Sequence, residues 1–341
     1  MKTPKDLGFC FPAEWNEHES TWLSYPHNEN SWPGKIDAIF PSYNKFVAEL
    51  SKGEKVNISI EDAAAKERIE QELSDIKANM KNISFHFFRT NDAWCRDHGP
   101  AFVLKANQKA IVDWDYNAWG GKYPHDLDNL IPNQIAELLD LEVFRPHIIM
   151  EGGSIDVNGE GSLLTTTSCL LNNNRNPQLS QSEIEDKLCQ YYNVDNVIWL
   201  GDGIVGDDTD GHVDDIARFV NKDTIVTVVE YDKNDENYHV LQDNLSLLKR
   251  ARLENGKQPD IIEIPMPEKV IWDDMRLPAS YANFYIANEA VIVPLYNCEQ
   301  DERVLQIFEQ IFDRKVVGID STDIIWGLGS FHCLSQQEPK L

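Results

Sequence analysis

The amino-acid sequence predicts an α/β fold of repeated strand–strand–helix–strand units closed into a ring, with residues 1–341 forming one domain. Three features lead to that reading. Stretches with apolar residues at helical spacing start near residues 129, 181, 238 and 299, so one unit recurs about every 50–60 residues. Each helix lies between short apolar runs of strand character in the same order. No Pro/Gly/Ser-rich linker or low-complexity segment divides the chain. Length alone would suggest about two domains, and the repeat overrides it. Pattern alone leaves a doubly wound open sheet as the alternative.

The units follow in order. Residues 97–104 (DHGPAFVL) and 109–115 (KAIVDWD) read as strands, then a helix over 129–140 and a strand at 142–148. Strands at 153–157 and 162–167 precede a helix at 181–192 and a strand at 196–200. The third unit is GHVDDIARFV (211–220), DTIVTVVE (223–230), a helix near 238–253 and DIIEIP (260–265). The fourth is SYANFYIA (280–287), EAVIVPLY (289–296), a helix at 299–313 and KVVGID (315–320). A fifth is assembled from both ends of the chain. Strand-like residues near 324–334 sit beside TWLSYP (21–26), followed by a helix near 36–51 and KVNISI (55–60). An extra helix near 62–75 and a strand near 83–88 fall between copies. Joining the two ends leaves no open sheet edge.

Charge narrows the partners. Lys+Arg is 31 against Asp+Glu 57, a formal net charge of −26. That field repels phosphate backbones and anionic lipid and draws in cations. Nucleic acid and membrane surfaces are therefore not expected as partners, and a small cationic molecule is. The N-terminus, MKTPKDLGFC, lacks the apolar run of a signal peptide. The six cysteines are scattered, with no CxxC pair. That pattern suits free thiols in a reducing cytoplasm, with neither disulfide framework nor metal site. No cofactor is expected, and a homodimer is the default assembly.

Five polar clusters carry the chemistry: TNDAWCRD (90–97), MEGGSID (150–156), DDTDGHVDD (207–215), PASYANF (278–284) and GSFHCLSQQ (329–337). Asp92 to Glu151 is 59 residues, Glu151 to His212 is 61, and His212 to Cys333 is 121, about two periods. If each unit brings its opening strand to a common axis, these residues converge. A lone cysteine is most often a small buried hydrophobe. Cys333 follows Gly327, Gly329 and Ser330, which permit a tight backbone, and with a separate histidine it becomes a candidate nucleophile. His332 on a strand would face away from it, so His212 is the better partner. His212 and Asp214 alternate on a strand and share a face. A metal pair is the alternative reading of His-x-Asp. Trp94 offers an aromatic face to a cation, and Arg96 with Asp97 reads as a structural ion pair. Glu151 is placed to orient a histidine. GDGIVG (201–206) matches a dinucleotide fingerprint, but the acidic DDTDGH that follows opposes phosphate. Paired carboxylates hold a planar guanidinium well. A thiolate, a histidine and such a pair suit hydrolytic removal of ammonia from guanidinium carbon, without metal.

At these motifs the sequence resembles the agmatine deiminase family, close relatives of bacterial peptidylarginine deiminases. The matching stretches are TNDAWCRDHGP, DYNAWGG, EGGSID, LLNNNRNP, DTDGHVD, ASYANFYIAN and GSFHCLSQQ, and they run from about Phe11 to Pro339. The resemblance implies the pentein fold, a five-bladed α/β propeller of ββαβ modules, and hydrolysis of agmatine to N-carbamoylputrescine and ammonia. It implies Cys333 as nucleophile, His212 as general acid and base, and Asp92 and Asp214 as the guanidinium pair. Glu151 matches the supporting acid, and Trp94 and Trp119 match pocket aromatics. Asp208, in the acidic run beside His212, is expected to meet the substrate's distal ammonium, and Asn283 is assigned to substrate binding. Two departures bear on specificity. The loop KYPHDLDN after Gly121 is shorter than in many relatives, and Asp210 stands where many carry Asn. A peptidylarginine deiminase is the runner-up, and a non-catalytic polyamine-binding module is the reading from another class.

Overall fold

The structure is a computed structural model and describes residues 2–341. β1 (His18–Ser24) leads to a helix over Ile36–Gly53, β2 (Lys55–Ser59), a helix over Ala63–Asp75 and β3 (Ile83–His86). β4 (Ala101–Lys105) and β5 (Gln108–Val112) lead to a helix over Ile131–Leu139 and β6 (Glu142–Phe144). β7 (Ile155–Val157), β8 (Ser162–Thr166), a helix over Gln181–Tyr192 and β9 (Asn196–Leu200) repeat that order. So do β10 (Ala217–Asn221), β11 (Thr224–Val229), a helix over Tyr238–Arg250 and β12 (Asp260–Pro265). A small hairpin follows, β13 (Ile271–Trp272) with β14 (Met275–Arg276). The last repeat is β15 (Tyr285–Ile286), β16 (Ala290–Leu295), a helix over Gln300–Ile311 and β17 (Lys315–Asp320), and β18 (Ser335–Pro339) ends the chain.

Each repeat makes its own sheet. β4-β5-β6, β7-β8-β9, β10-β11-β12 and β15-β16-β17 all place the second strand in the middle. That strand pairs antiparallel with the first and parallel with the third. Connection length explains the pattern. A short turn joins the first two strands, whereas the parallel pair needs a helical crossover. In the sheet from the two chain ends, β1 pairs antiparallel with β18 and parallel with β2, and β3 extends it. The middle strands read as near-continuous apolar runs because both faces are covered. In β11, Ile225, Val226, Val228 and Val229 are all fully buried. The helix Ile36–Gly53 buries Ile39, Tyr43, Phe46, Val47 and Leu50, a stripe at steps of three and four, while Lys45 stays exposed. Among the described residues no helix is long and apolar enough to cross a membrane.

The opening strands depart from the sequence reading. Residues 324–327 form a short 3-10 turn and 331–334 a turn, so the strand that pairs with β1 is the polar SQQEP at 335–339. β10 begins at Ala217 rather than 211, and β15 is confined to two residues. In each case the polar cluster ahead of the strand is a turn. His212 and Asp214 therefore lie on and beside a 3-10 turn at Val213–Asp215, and not on alternate positions of a strand. β18 escaped the apolar-run signal because its buried side chains are polar. Arg96 Nη1 donates to Gln337 Oε1 at 2.7 Å, and Lys109 Nζ reaches Glu338 Oε1 at 2.6 Å.

One carboxylate ties distant parts of the chain together. Glu14, buried, faces Arg218 Nη2 at 2.9 Å, Arg96 Nη2 at 3.2 Å and His332 Nε2 at 2.9 Å. It also accepts the Ile286 N–H at 2.9 Å. Burial opposes its charge, but Arg218, His332 and Arg96 hold the carboxyl well below its usual range. Removing that charge leaves buried Arg96 without a carboxylate and buried Arg218 with Asp156 alone. Glu14→Gln should cost about 3–5 kcal/mol, read as the loss of unfolding free energy in a denaturant titration. A loss under about 1 kcal/mol would show the cluster is not a structural centre.

Candidate active site

A cavity of about 220 Å³ opens where the turns between sheets meet, and Asp92, Asp97, Trp94, Trp119, Asp208 and Cys333 line it. Cys333 sits on the 331–334 turn, not on a strand, and its side chain is buried. Its backbone carbonyl accepts the Arg96 N–H at 3.0 Å, and its own N–H is held by one side chain. Asn283 Oδ1 accepts the N–H groups of His332 at 3.1 Å and Cys333 at 3.2 Å. Those two donors fix the amide's orientation, so its Nδ2 donates to Cys333 Sγ at 2.9 Å and to Asp215 Oδ1 at 3.0 Å. Asn283, expected among the substrate-binding residues, is instead a clip on the thiol and does not line the cavity. Burial pushes the Cys333 thiol well above its ordinary range, and the charges of Asp214, Asp215 and Asp97 push the same way.

Asp214 lies beneath the thiol, with Oδ2 3.6 Å from Cys333 Sγ. His332 Nδ1 approaches the same oxygen at 2.6 Å while its Nε2 faces Glu14. A carboxylate oxygen therefore faces each ring nitrogen of His332. Burial would raise Asp214, but the hydrogen bond and charge of His332 hold it low. Asp214 Oδ1 is buried without a hydrogen-bond partner among the described residues.

His212 is fully buried, and neither ring nitrogen has a hydrogen-bond partner among the described residues. Burial drives its pKa down to about 3, so it is a neutral base. Its Nδ1 lies 3.7 Å from Asp97 Oδ1. Gly153 makes this approach possible. A Cβ there would stand 2.7 Å from His212 Nδ1, 2.9 Å from Asp97 Oδ1 and 3.0 Å from Asp214 Oδ2. Asp97 also accepts the Gly153 N–H and the Trp119 indole N–H, both at 2.9 Å. Asp97 is thus a site residue. Its neighbour Arg96 points the other way, to Glu14, which dissolves the ion pair read from the sequence.

Glu151 is fully buried and takes a 2.6 Å ion pair from Arg175 Nε. No hydrogen bond joins it to His212. Arg175 continues to Asp210 Oδ2 at 2.7 Å and to the Thr209 carbonyl at 2.9 Å, so it fastens the acidic loop to Glu151. Asp92 is half-buried. Ser31 Oγ donates to its Oδ2 and the Ala93 N–H to its Oδ1 at 2.8 Å. Burial raises its carboxyl to about 6 against the pull of those bonds. Trp119 sits in a left-handed stretch with Ala118, Gly120 and Gly121, at φ 50°, 55°, 100° and 80° for residues 118 to 121. Such a backbone is costly for Ala118 and Trp119, and it turns the indole onto Asp97. Asp208 lines the cavity but is already engaged, by Lys122 Nζ and by Tyr123 Oη at 2.8 Å.

The expected residues therefore meet in two connected layers. Cys333, Asp92, Trp94, Trp119 and Asp208 face the cavity, with His212, Glu151, Asp214 and Asn283 behind. Sequence reading gave no site role to Asp97, Arg175, His332 or Glu14. Arg175 stood in plain view in LLNNNRNP, and Glu14 was a lone acid in the apolar run 9–15.

The family profile of Porphyromonas-type peptidyl-arginine deiminases matches residues 10–339. The chain belongs to this family. An agmatine deiminase of Ectopseudomonas mendocina is 34% identical over 366 residues, spanning 99% of this chain and 97% of its own. The structure of an Enterococcus faecalis agmatine deiminase superposes with a TM-score of 0.93 at 32% identity, over 100% of this chain and 98% of that one. A cysteine-to-serine variant of a C. jejuni agmatine deiminase with substrate bound gives 0.88 at 34% identity, over 97% and 96%. The mixed α/β fold is thus that of the deiminase family.

The Asn283 clip can be tested without any substrate. A hydrogen bond to a thiolate is worth about 1.5–3 kcal/mol, and one pKa unit is about 1.4 kcal/mol. Asn283→Ala should raise the Cys333 titration midpoint by about one unit or more, read from the pH profile of alkylation by iodoacetamide. An unchanged or lower midpoint would show that the amide does not stabilise the thiolate.

Proposed function

We propose that the chain is an agmatine deiminase, converting agmatine and water to N-carbamoylputrescine and ammonia, in putrescine biosynthesis. The observation that carries this reading is the buried thiol at the floor of an acid-lined cavity, in a chain similar along its whole length to agmatine deiminases. Asp92 faces the cavity and Asp214 lies beside the thiol, so together they bracket a planar guanidinium. That cation offsets the negative field that keeps Cys333 protonated. The thiol proton passes to His212, and the thiolate adds to the guanidinium carbon. His212 returns the proton to the departing nitrogen, which leaves as ammonia. It then deprotonates a water that attacks the same carbon, and the thiolate leaves the ureido product. Trp94 and Trp119 cover the guanidinium plane, and Glu151, tied to Arg175, supplies negative charge beside the imidazolium.

The distal end decides between substrates. Agmatine ends in an ammonium, which Asp208 suits. Lys122 beside Asp208 favours a second reading, in which a C-terminal arginine presents its carboxylate there. Asp208 lines the cavity whereas Lys122 does not, which tips the balance to agmatine.

We read residues 1–341 as one five-bladed propeller. Five sheets share one strand order, one of them with β3 added at its edge, the two chain ends pair in that sheet, and residues about 60 positions apart meet at the cavity or just behind it. A closed dimer is the assembly we assign, and the free cysteines suit the cytoplasm.

Two measurements test the function. Purified protein with a chelator present should release ammonia and a ureido product from agmatine, and not from free arginine or a peptide ending in arginine. Cys333→Ser should abolish turnover while retaining binding. Preference for the peptide would move the enzyme to the second reading, and binding without turnover in the native chain would leave a polyamine-binding module. The second measurement is the pH profile. Asp92 must be ionised to hold a cation, and its carboxyl titrates at about 6. Below that pH kcat/KM should fall about tenfold per unit. Above it the profile should stay level through neutral pH, because His212 stays neutral and the thiol stays protonated in the free enzyme. A profile level down to pH 4 would remove Asp92 from that role.

A further inference from the structure

Behind His212 lies a group of side chains that the mechanism uses only in part. One donor atom each of Glu151, Cys169 and His212 lies within 4.8 Å of the other two. All three residues are fully buried. Glu151 Oε2 and both ring nitrogens of His212 have no hydrogen-bond partner among the described residues. The Cys169 thiol is free. Buried polar atoms left unpaired are rare and cost free energy, and a cation would satisfy several of them at once.

We infer that Glu151, Cys169 and His212 form a site for a soft divalent cation of the zinc type, which inhibits the enzyme by occupying His212. Sulfur, imidazole and carboxylate together select zinc, cobalt or cadmium over magnesium or calcium. In a tetrahedral zinc site the ligand atoms stand roughly 3.3–3.8 Å apart. Side-chain rotations of about an ångström close the present spacing to that value, and a water fills the fourth position. Charge is compatible. Cys169 gives up its proton to solvent on binding, so a thiolate and a carboxylate face the dication. Arg175 holds the other oxygen of Glu151, but its own charge is shared with Asp210. The site does not include Cys333. Catalysis needs no metal here; the cation takes the imidazole lone pair that proton transfer requires. The inhibitory effect rests on the role proposed for His212, whereas the binding does not.

Cobalt(II) reads the site directly, because thiolate ligation gives an intense charge-transfer band. The Cys333→Ser protein, which lacks the nucleophile, should take up one equivalent of cobalt with that band. Adding Cys169→Ala should remove it. In turnover assays zinc should inhibit the native enzyme, with recovery on adding a chelator. Cys169→Ala should keep its metal-free turnover and lose zinc sensitivity by about tenfold or more. Cys169 packs in an apolar cluster, so Cys169→Ser serves if the alanine variant fails to fold. Absence of the cobalt band in Cys333→Ser would overturn the site, because the metal would then sit on the nucleophile or not bind. A band that survives loss of Cys169 would overturn it equally. Should agmatine not be turned over, the cobalt spectra still decide.

Discussion

The buried charge cluster around Glu14 is the constraint on which the rest of the molecule depends. Taking an ion out of water costs several kcal/mol unless its charge is matched and its hydrogen-bonding atoms are satisfied. Here Arg96, Arg218 and His332 meet Glu14, Asp156 and Asp214, with Arg218 Nε 3.0 Å from Asp156 Oδ1. The cluster balances when the N-terminal segment, the turn before β4, strand β10 and the turn before β18 are all in place. It therefore locks together parts of the chain that are more than 300 residues apart in sequence, Glu14 to His332 being 318. His332 joins this lock to the chemistry, since its second nitrogen holds Asp214 against the Cys333 thiol.

The electrostatics of the cavity follow from the same arrangement. Carboxylates that attract a cation also keep a nearby thiol protonated. Burial and the charges of Asp214, Asp215 and Asp97 all push the Cys333 thiol upward, which keeps it protonated. A guanidinium placed among those acids reverses the sign of the local field. Under the proposed function, formation of the thiolate then depends on the charge of the molecule it attacks. A neutral reagent of the same shape gains little from this site. That gives selectivity by charge before any contact is made to the distal end, and the chain's overall charge of −26 works in the same direction at long range.

Much of the fold was legible in the sequence, because apolar periodicity is strong where both sides of an element are covered. The helix at 181–192 and the strands at 196–200, 260–265 and 315–320 fall where the pattern puts them. The opening strands did not, since their preceding residues are polar and were read as part of the strand. β18 was missed for the opposite reason. Its glutamines and glutamate are buried by hydrogen bonds and ion pairs rather than by apolar packing, and composition cannot signal that. In the site, periodic spacing singled out Asp92, Glu151, His212 and Cys333. It could not separate Asp97 from its neighbour Arg96, because the short helical turn at Cys95–His98 sends adjacent side chains to opposite sides. Asn283 was legible as a polar residue in a site cluster, but its target was not. Only the turn geometry brings its amide onto the thiol.

That same geometry depends on Cys333 standing on a turn. On a strand, Cys333 and His332 would face opposite layers with a fixed spacing, and the backbone N–H groups between them would belong to the ladder. The 331–334 turn frees those N–H groups, and Asn283 collects two of them with one oxygen. The thiol then reaches the cavity while the neighbouring imidazole reaches back to Glu14. Adjacent residues thus serve the cavity and the scaffold at once. The left-handed backbone at 118–121 makes the same trade on the opposite wall, spending conformational energy to set one indole on Asp97. Regular strands and helices supply the rigid frame, and irregular turns at their ends set the angles that a strand cannot.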